Sequence, residues 1–387
     1  MDNSKLIAAI KGSNSKGLST AESSALEFIS GSNAGFQSTL DKEADEAKRK
    51  NAAALLKAEV DKKKDEARKL KDSLTTDQFL FTDMTEGRLP KSGVNHVMFQ
   101  YPVGTWDPEF DEDIPEVDPF FFWDADVLED IWLAYSLNEN WLGTGPPGTG
   151  KSSCAKQLAA WLRQPFARFN GKDGIEPASF LGYPWATKEG MIWQDGLMPQ
   201  AVANGYLTCI DEVFKLPPGI QMALQSLYEK DGFLMLDEKP GTIKDKHIYP
   251  RKEFRIIGTD NTKGTGDDLD KYGAGQMQDT STLDRWGITT DVPYLPKREE
   301  IAMFVKRFPS LDKKVISKVV SMANLVRNSF LSGGELSLTM SPRGVMVACE
   351  LLGKNVPLDK ALKMAYVNKL SDDIELKTAN GFINSCI

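Results

Sequence analysis

Histidine is nearly missing from this chain of 387 residues: His96 and His247 are the only two, and they lie far apart. A histidine-built metal centre is therefore not expected, and each reads as an ordinary surface or turn residue. Cysteine is scarce as well. Cys154, Cys209, Cys349 and Cys386 are scattered without paired spacing, which argues against a disulfide framework or a zinc site and for reduced thiols in the cytoplasm. No apolar run is long enough to span a bilayer, and residues 1–10 lack the apolar stretch of a signal peptide. An excess of positive charge is lacking too. With 47 Lys and Arg against 55 Asp and Glu, the net charge is −8, so no overall basic field points to nucleic acid. What remains is the composition of an ordinary globular chain, 41% hydrophobic and 26% charged, long enough for two or three compact units.

Residues 1–75 read as a charged N-terminal arm, helical and in part disordered. Ser19 and Glu22 make a capping-box pattern ahead of Ala25, Leu26, Phe28 and Ile29. Between Asp41 and Asp72, Lys, Glu, Asp and Ala dominate, with a thin apolar stripe through Ala52, Leu55, Leu56, Val60, Ala67 and Leu70. That pattern suits a solvated helix, with a short coiled coil or a partner-docking helix as the sharper alternative. Residues 76–117 read as irregular: a strand near 95–101, then an acidic linker carrying Asp107, Glu109, Asp111, Glu112, Asp113 and Glu116, whose spacing lacks the order of a calcium loop. From 118 to 296 helices (124–137, 153–163, near 201, 218–229) alternate with short apolar strands (140–143, 166–170, 205–210, 254–259, 288–292). This rhythm predicts an α/β fold, a parallel sheet with helices on both faces. Residues 297–387 carry helical periodicity at 298–308, 311–331, 342–352 and 358–370, and so form a small helical domain.

One stretch organises the rest. Gly145, Pro146, Pro147, Gly148, Thr149, Gly150, Lys151 and Ser152 fit the pattern G-x-x-x-x-G-K-[ST] at every fixed position; the motif sits where a strand meets a helix that begins near Ser153, which is expected to join the nucleotide-binding residues. Its glycines let backbone N–H groups converge on one anion, to which the helix N-terminus adds partial positive charge. Lys151 can reach the β- and γ-phosphates, and the Ser152 hydroxyl can ligate Mg²⁺. A nucleoside triphosphate is the expected ligand. Downstream, an apolar strand ends in Asp211 and Glu212: the first suits Mg²⁺, the second an attacking water. Asn261, at the end of the next buried strand, suits the γ-phosphate or that water. Arg285, shortly before a further strand, and Arg343, at the start of a helix, suit phosphate oxygens on which charge develops.

In this order the motifs resemble the AAA+ ATPases, and within them the MoxR and chelatase group. The phosphate loop looks like Walker A, Asp211-Glu212 like Walker B, Asn261 like sensor 1, Arg285 like the arginine finger, and Ser341-Pro342-Arg343 like sensor 2. Residues 190–196 and 231–247 look like the group's two hairpin insertions. A narrower likeness, over about 114–296, is to the small ATPase subunits of aerobic cobaltochelatases, with relatives borne by bacteriophages. The resemblance implies an αβα nucleotide-binding core with a helical lid, and ATP and Mg²⁺ as ligands. It further implies a homo-oligomeric ring, usually a hexamer, in which Arg285 acts on the neighbouring subunit's ATP. It also implies a partner bearing a von Willebrand factor A domain, or a chelatase subunit, with the cytoplasm (the host's, for a phage protein) as location. The expected activity is ATP hydrolysis that remodels a protein partner. Cobalt insertion into a corrin, or a nucleotide-gated scaffold working through its N-terminal arm, are the alternatives.

Overall fold

A computed structural model describes residues 77–171, 175–188, 190–264 and 280–386, with four isolated positions, Ala54, Leu55, Ala58 and Lys62. The chain divides into two compact units, Met1–Pro102 and Val103–Ile387. The capping box at Ser19 and most of the charged helix at 41–72 lie outside the described residues. In the first unit, β1 (Gln78–Leu80) pairs antiparallel with β2 (Val97–Phe99). The helical turn Phe81–Met84 follows β1 and buries Phe81 and Met84. His96 packs its ring 5.9 Å from Phe81.

The second unit is built on five strands: β3 (Trp141–Thr144), β4 (Phe166–Asn170), β7 (Leu207–Asp211), β10 (Arg255–Thr259) and β11 (Ile288–Asp291). Their order across the sheet is β11-β3-β10-β7-β4, and every pairing is parallel. Parallel strands covered on both faces read as apolar runs. In β7, Leu207, Cys209 and Ile210 are fully buried. Register aligns the strands' carboxyl ends, with Asn170 opposite Asp211, Asp211 opposite Thr259 and Thr259 opposite Gly143. Polar side chains that the sequence places last in each strand thus arrive at one edge, the usual ligand edge of an open α/β sheet.

Two small hairpins interrupt the core. β5 (Gly182–Thr187) pairs with β6 (Gly190–Asp195), and β8 (Leu234–Met235) with β9 (His247–Ile248). The first strand of the former was not legible in advance. His247 is not a simple turn residue: it opens β9 and stacks on Phe233 with ring centroids 4.0 Å apart. Nor is the acidic stretch a free linker. Pro108–Asp113 forms a 3-10 helix, Phe110 packs edge-on to Tyr206, and the Tyr206 hydroxyl donates to Asp113. Upstream of it, Trp106 donates its indole N–H to the Arg163 carbonyl (2.8 Å) and lies under the Arg251 guanidinium. Aromatic burial overrides the acidic composition there.

The C-terminal region is helical: Lys297–Arg307, Lys313–Leu331, Pro342–Gly353, Leu358–Ala365 and Asp373–Cys386. They share an apolar core around Phe304, Val319, Val326, Ala348 and Leu362. The last helix had not been expected. Its sequence is interrupted by Gly381; Glu375, Ala379 and Ile383 are its buried residues, and Leu376, Phe382 and Cys386 pack against the same core.

Candidate functional site

A cavity of about 330 Å³ opens at the carboxyl edge of the sheet. It is lined by the phosphate loop, by the ends of β4, β7 and β10, and by Arg343 of the helical region. Positive φ angles at Gly145, Gly148 and Gly150 fold the loop into a tight cradle. A side chain at Gly148 would collide with Ser341, where a Cβ would stand 2.5 Å from the serine's own. Glycine therefore lets the start of Pro342–Gly353 seat directly on the loop. The Tyr294 hydroxyl adds a second tie, donating to the Pro147 carbonyl at 3.0 Å. The helix Lys151–Leu162 starts from this cradle, so its first N–H groups face the cavity.

Lys151 is only 7% exposed. Its ammonium donates to the carbonyls of Gly145 (2.6 Å) and Pro146 (2.9 Å) and to Asn261 Oδ1 (3.1 Å). Burial pulls its pKa down to about 8, against the upward pull of Asp211 and Asp260, while Arg343 pushes the same way as burial. An ammonium held this way favours any anion that restores its charge balance.

The acidic pair splits at the end of β7. Asp211 accepts from the Thr259 hydroxyl at one oxygen and pairs with Arg168 through the other. Glu212 turns the chain: its φ of 52° is left-handed, a costly conformation for a residue with a side chain. Gly171 holds that turn. Its N–H donates to the Asp211 carbonyl at 2.6 Å, and a Cβ at 171 would meet the Glu212 carbonyl oxygen at 2.2 Å. The Glu212 carboxylate rests 3.3 Å from Lys215 Nζ.

Nine of the residues singled out in the sequence line this one cavity: Pro147, Gly148, Gly150, Lys151, Ser152, Asp211, Glu212, Asn261 and Arg343. Gly145, Pro146 and Thr149 shape the loop without lining it, the Thr149 hydroxyl donating to the Pro146 carbonyl. Ser153 is exposed on the helix. Arg285 is elsewhere: it donates to the Ser281 carbonyl (2.8 Å) and to Glu229 (3.3 Å). Sequence reasoning missed Arg168, Asn170, Gly171, Thr259 and Asp260, which also line the cavity or its walls. Arg168 left a signal: a cation inside a short buried-strand pattern. Burial raises the pKa of Asp260, whose carboxylate accepts from the N–H groups of Thr262 and Phe214, tying the loops after β7 and β10 together.

The donor set fits Mg²⁺. Asp211 and Ser152 offer one carboxylate and one hydroxyl beside a phosphate cradle, and Mg²⁺ prefers few protein ligands with water and phosphate oxygens completing the shell. Among the described residues, no cluster of three His, Cys, Asp or Glu suits a metal held by protein alone.

A phosphate cradle, an acidic pair on the adjoining strand end and a helical region reaching back over the loop define a P-loop ATPase of the AAA+ class. The family models and the curated relatives agree. The AAA domain of the dynein-related subfamily matches residues 142–272, and the CbbQ/NirQ/NorQ C-terminal domain matches residues 300–382. The aerobic cobaltochelatase subunit CobS of Sinorhizobium sp is 30% identical over 270 residues, 68% of this chain and 79% of CobS. Protein NorQ of Paracoccus denitrificans is 25% identical over 260 residues, 67% of this chain and 90% of NorQ. Among solved structures, the Holliday junction branch migration motor RuvB of Thermotoga maritima matches 68% of this chain and 74% of its own at 17% identity, with a TM-score of 0.39. The chain belongs to the CobS/NorQ/MoxR group of AAA+ ATPases, and it is an ATP hydrolase.

Proposed function

We propose that the chain works as a homo-oligomeric ring, hexameric as its resemblance implies, which hydrolyses ATP to remodel or activate a protein partner. One observation carries the ring. Arg285 stands outside the set of residues lining the nucleotide cavity, yet its guanidinium is held in place by Ser281 and Glu229. A positioned arginine that does not border its own chain's nucleotide suits a neighbour's.

Within the cavity, Lys151 exchanges the Gly145 and Pro146 carbonyls for phosphate oxygens. Asn261, released from Lys151, orients the attacking water. Glu212 leaves Lys215 and takes a proton from that water as it attacks the γ-phosphorus. The bond to the β-phosphate oxygen then breaks, and ADP and phosphate result. Ser152 and Asp211 would hold Mg²⁺, which supplies charge neutralisation on the β- and γ-phosphate oxygens. Arg343 joins the phosphates from the helical region, so nucleotide state moves that region against the core. We place this work in the cytoplasm, where the free, buried thiols of Cys154, Cys209 and Cys349 would stay reduced.

The client follows from a nucleotide trap. Full-length chain carrying Glu212→Gln is held in ATP beside Lys151→Ala, and proteins enriched only by the first are identified by mass spectrometry. A protein with a von Willebrand factor A domain and its client is the expected catch. A corrin-binding chelatase subunit would move the reading to cobalt insertion, which the 30% identity to CobS favours. A catch identical in both variants would contradict nucleotide-driven remodelling.

A further inference from the structure

Asp211 would be the Mg²⁺ carboxylate, yet both its oxygens are already taken. One accepts from the Thr259 hydroxyl and the other is paired with the Arg168 guanidinium. The two partners differ in kind. Thr259 is buried and sits opposite Asp211 in register on β10, so its hydroxyl is fixed by the sheet. Arg168 reaches Asp211 from β4, where it stands opposite Cys209, and its side chain is 45% exposed. An exposed guanidinium can swing into solvent at little cost, whereas the buried Thr259 hydroxyl would lose its partner with no water to replace it.

The charge balance points the same way. The cavity wall carries three cations, Lys151, Arg168 and Arg343, and three carboxylates, Asp211, Glu212 and Asp260. Glu212 has Lys215 beside it, and Asp260 is satisfied by Thr262 and Phe214. Arg168 is thus the cation in direct contact with Asp211 in the absence of nucleotide. Remove it, and the wall carries one net negative charge, with a carboxylate oxygen open to the cavity that Ser152 also lines.

We propose that Arg168 is a positioning residue that stands in for the metal on Asp211, so that a divalent cation enters the site only together with a triphosphate. A divalent cation alone must displace a guanidinium at the expense of an ion pair. A cation carried by the triphosphate brings anionic oxygens that take over the displaced guanidinium, because Arg168 borders the same cavity. The arrangement keeps the nucleotide-free site from filling with bare metal and leaves the phosphate loop open. The proposal rests on Asp211 being the metal carboxylate.

The test is Mn²⁺ binding to the full-length chain without nucleotide, read by the loss of the free-ion electron paramagnetic resonance signal and by calorimetry. Arg168→Ala should gain one Mn²⁺ site at least about tenfold tighter than wild type, as an unscreened carboxylate gains a cation partner. Arg168→Lys should restore the block, and Arg168→Ala combined with Asp211→Asn should lose the gained site. Thermal melting and circular dichroism confirm that each variant is folded. Equal Mn²⁺ binding by wild type and a folded Arg168→Ala would overturn the proposal, as would a gained site that survives Asp211→Asn. A parallel titration with a non-hydrolysable ATP analogue separates the underlying reading. There, wild type should bind Mn²⁺ and Asp211→Asn should not; equal binding by both would remove Asp211 as the metal carboxylate and the proposal with it.

Discussion

Two arginine–carboxylate pairs in this molecule look alike in chemistry and differ in fate. In the helical region Arg327 grips Glu300 through two hydrogen bonds of 2.7 and 2.8 Å, with exposures of 2% and 0%. Arg327 also donates to the Met340 carbonyl and lies over the Tyr294 ring. At the sheet edge Arg168 holds Asp211 from a side chain that is 45% exposed, with solvent beside it. A buried charge pair with its remaining donors satisfied is permanent, because losing one partner strands the other in low dielectric. A half-exposed pair is exchangeable. The first fastens Lys297–Arg307 to Lys313–Leu331; the second leaves a carboxylate available to a ligand. Burial, not residue identity, sorts structure from function here.

The largest effect should come from the exchangeable region. Glu212→Gln preserves shape and removes the proton acceptor, so steady-state ATP hydrolysis should fall by about 10²–10⁴-fold while ATP binding persists. Turnover near wild type would remove Glu212 from the water-activating role. The permanent pair gives the next largest. Glu300→Ala should lower unfolding stability by about 3–5 kcal/mol, read by chemical denaturation, since it leaves Arg327 buried without its carboxylate. A loss below about 1 kcal/mol would place the pair in the exchangeable class after all.

A smaller, pH-dependent effect separates Lys151 from both. Burial holds its pKa near 8 rather than 10.5, so the free site loses its ammonium proton as pH rises through about 8. Phosphate favours the charged form and raises that pKa again. ATP binding above pH 8 should therefore take up a proton, and affinity should weaken with rising pH by at most about tenfold per unit. Calorimetry at pH 9 in buffers of different ionisation enthalpy measures the uptake directly. Binding with no proton taken up there would mean Lys151 is charged in the free site.

Much of the nucleotide site was legible because phosphate chemistry constrains consecutive residues. The loop from Gly145 to Ser152 must present glycines, lysine and hydroxyl at fixed spacing, and an acidic pair must end a strand, so local sequence carries both. Asn261 and Arg343 were reachable because each follows or opens a regular element. Arg168, Gly171 and Thr259 were not, since their roles come from register between strands far apart in sequence. Gly171 matters because Glu212 turns against it, and nothing near 171 in the sequence says so. The acidic stretch 107–116 misled for a related reason. Its charges read as linker, while its packing is decided by Phe110 against Tyr206 and by Trp106 against Arg251, contacts that composition does not reveal. The final helix was hidden by Gly381 and by Asn380, Asn384 and Ser385, poor helix formers set among its apolar positions.

The measurement that bears most directly on the account is ATPase activity of mixed subunits. Lys151→Ala cannot hold ATP but carries an intact Arg285; Arg285→Ala holds ATP but lacks the arginine. Each alone should be nearly inactive, and Arg285→Ala should lose up to about 10³-fold while still binding ATP. Mixed in equal amounts at a concentration that favours assembly, they should regain a measurable fraction of wild-type hydrolysis. That recovery should vanish on dilution. No recovery at any ratio, from two folded variants shown to co-assemble, would contradict a site shared between neighbouring subunits.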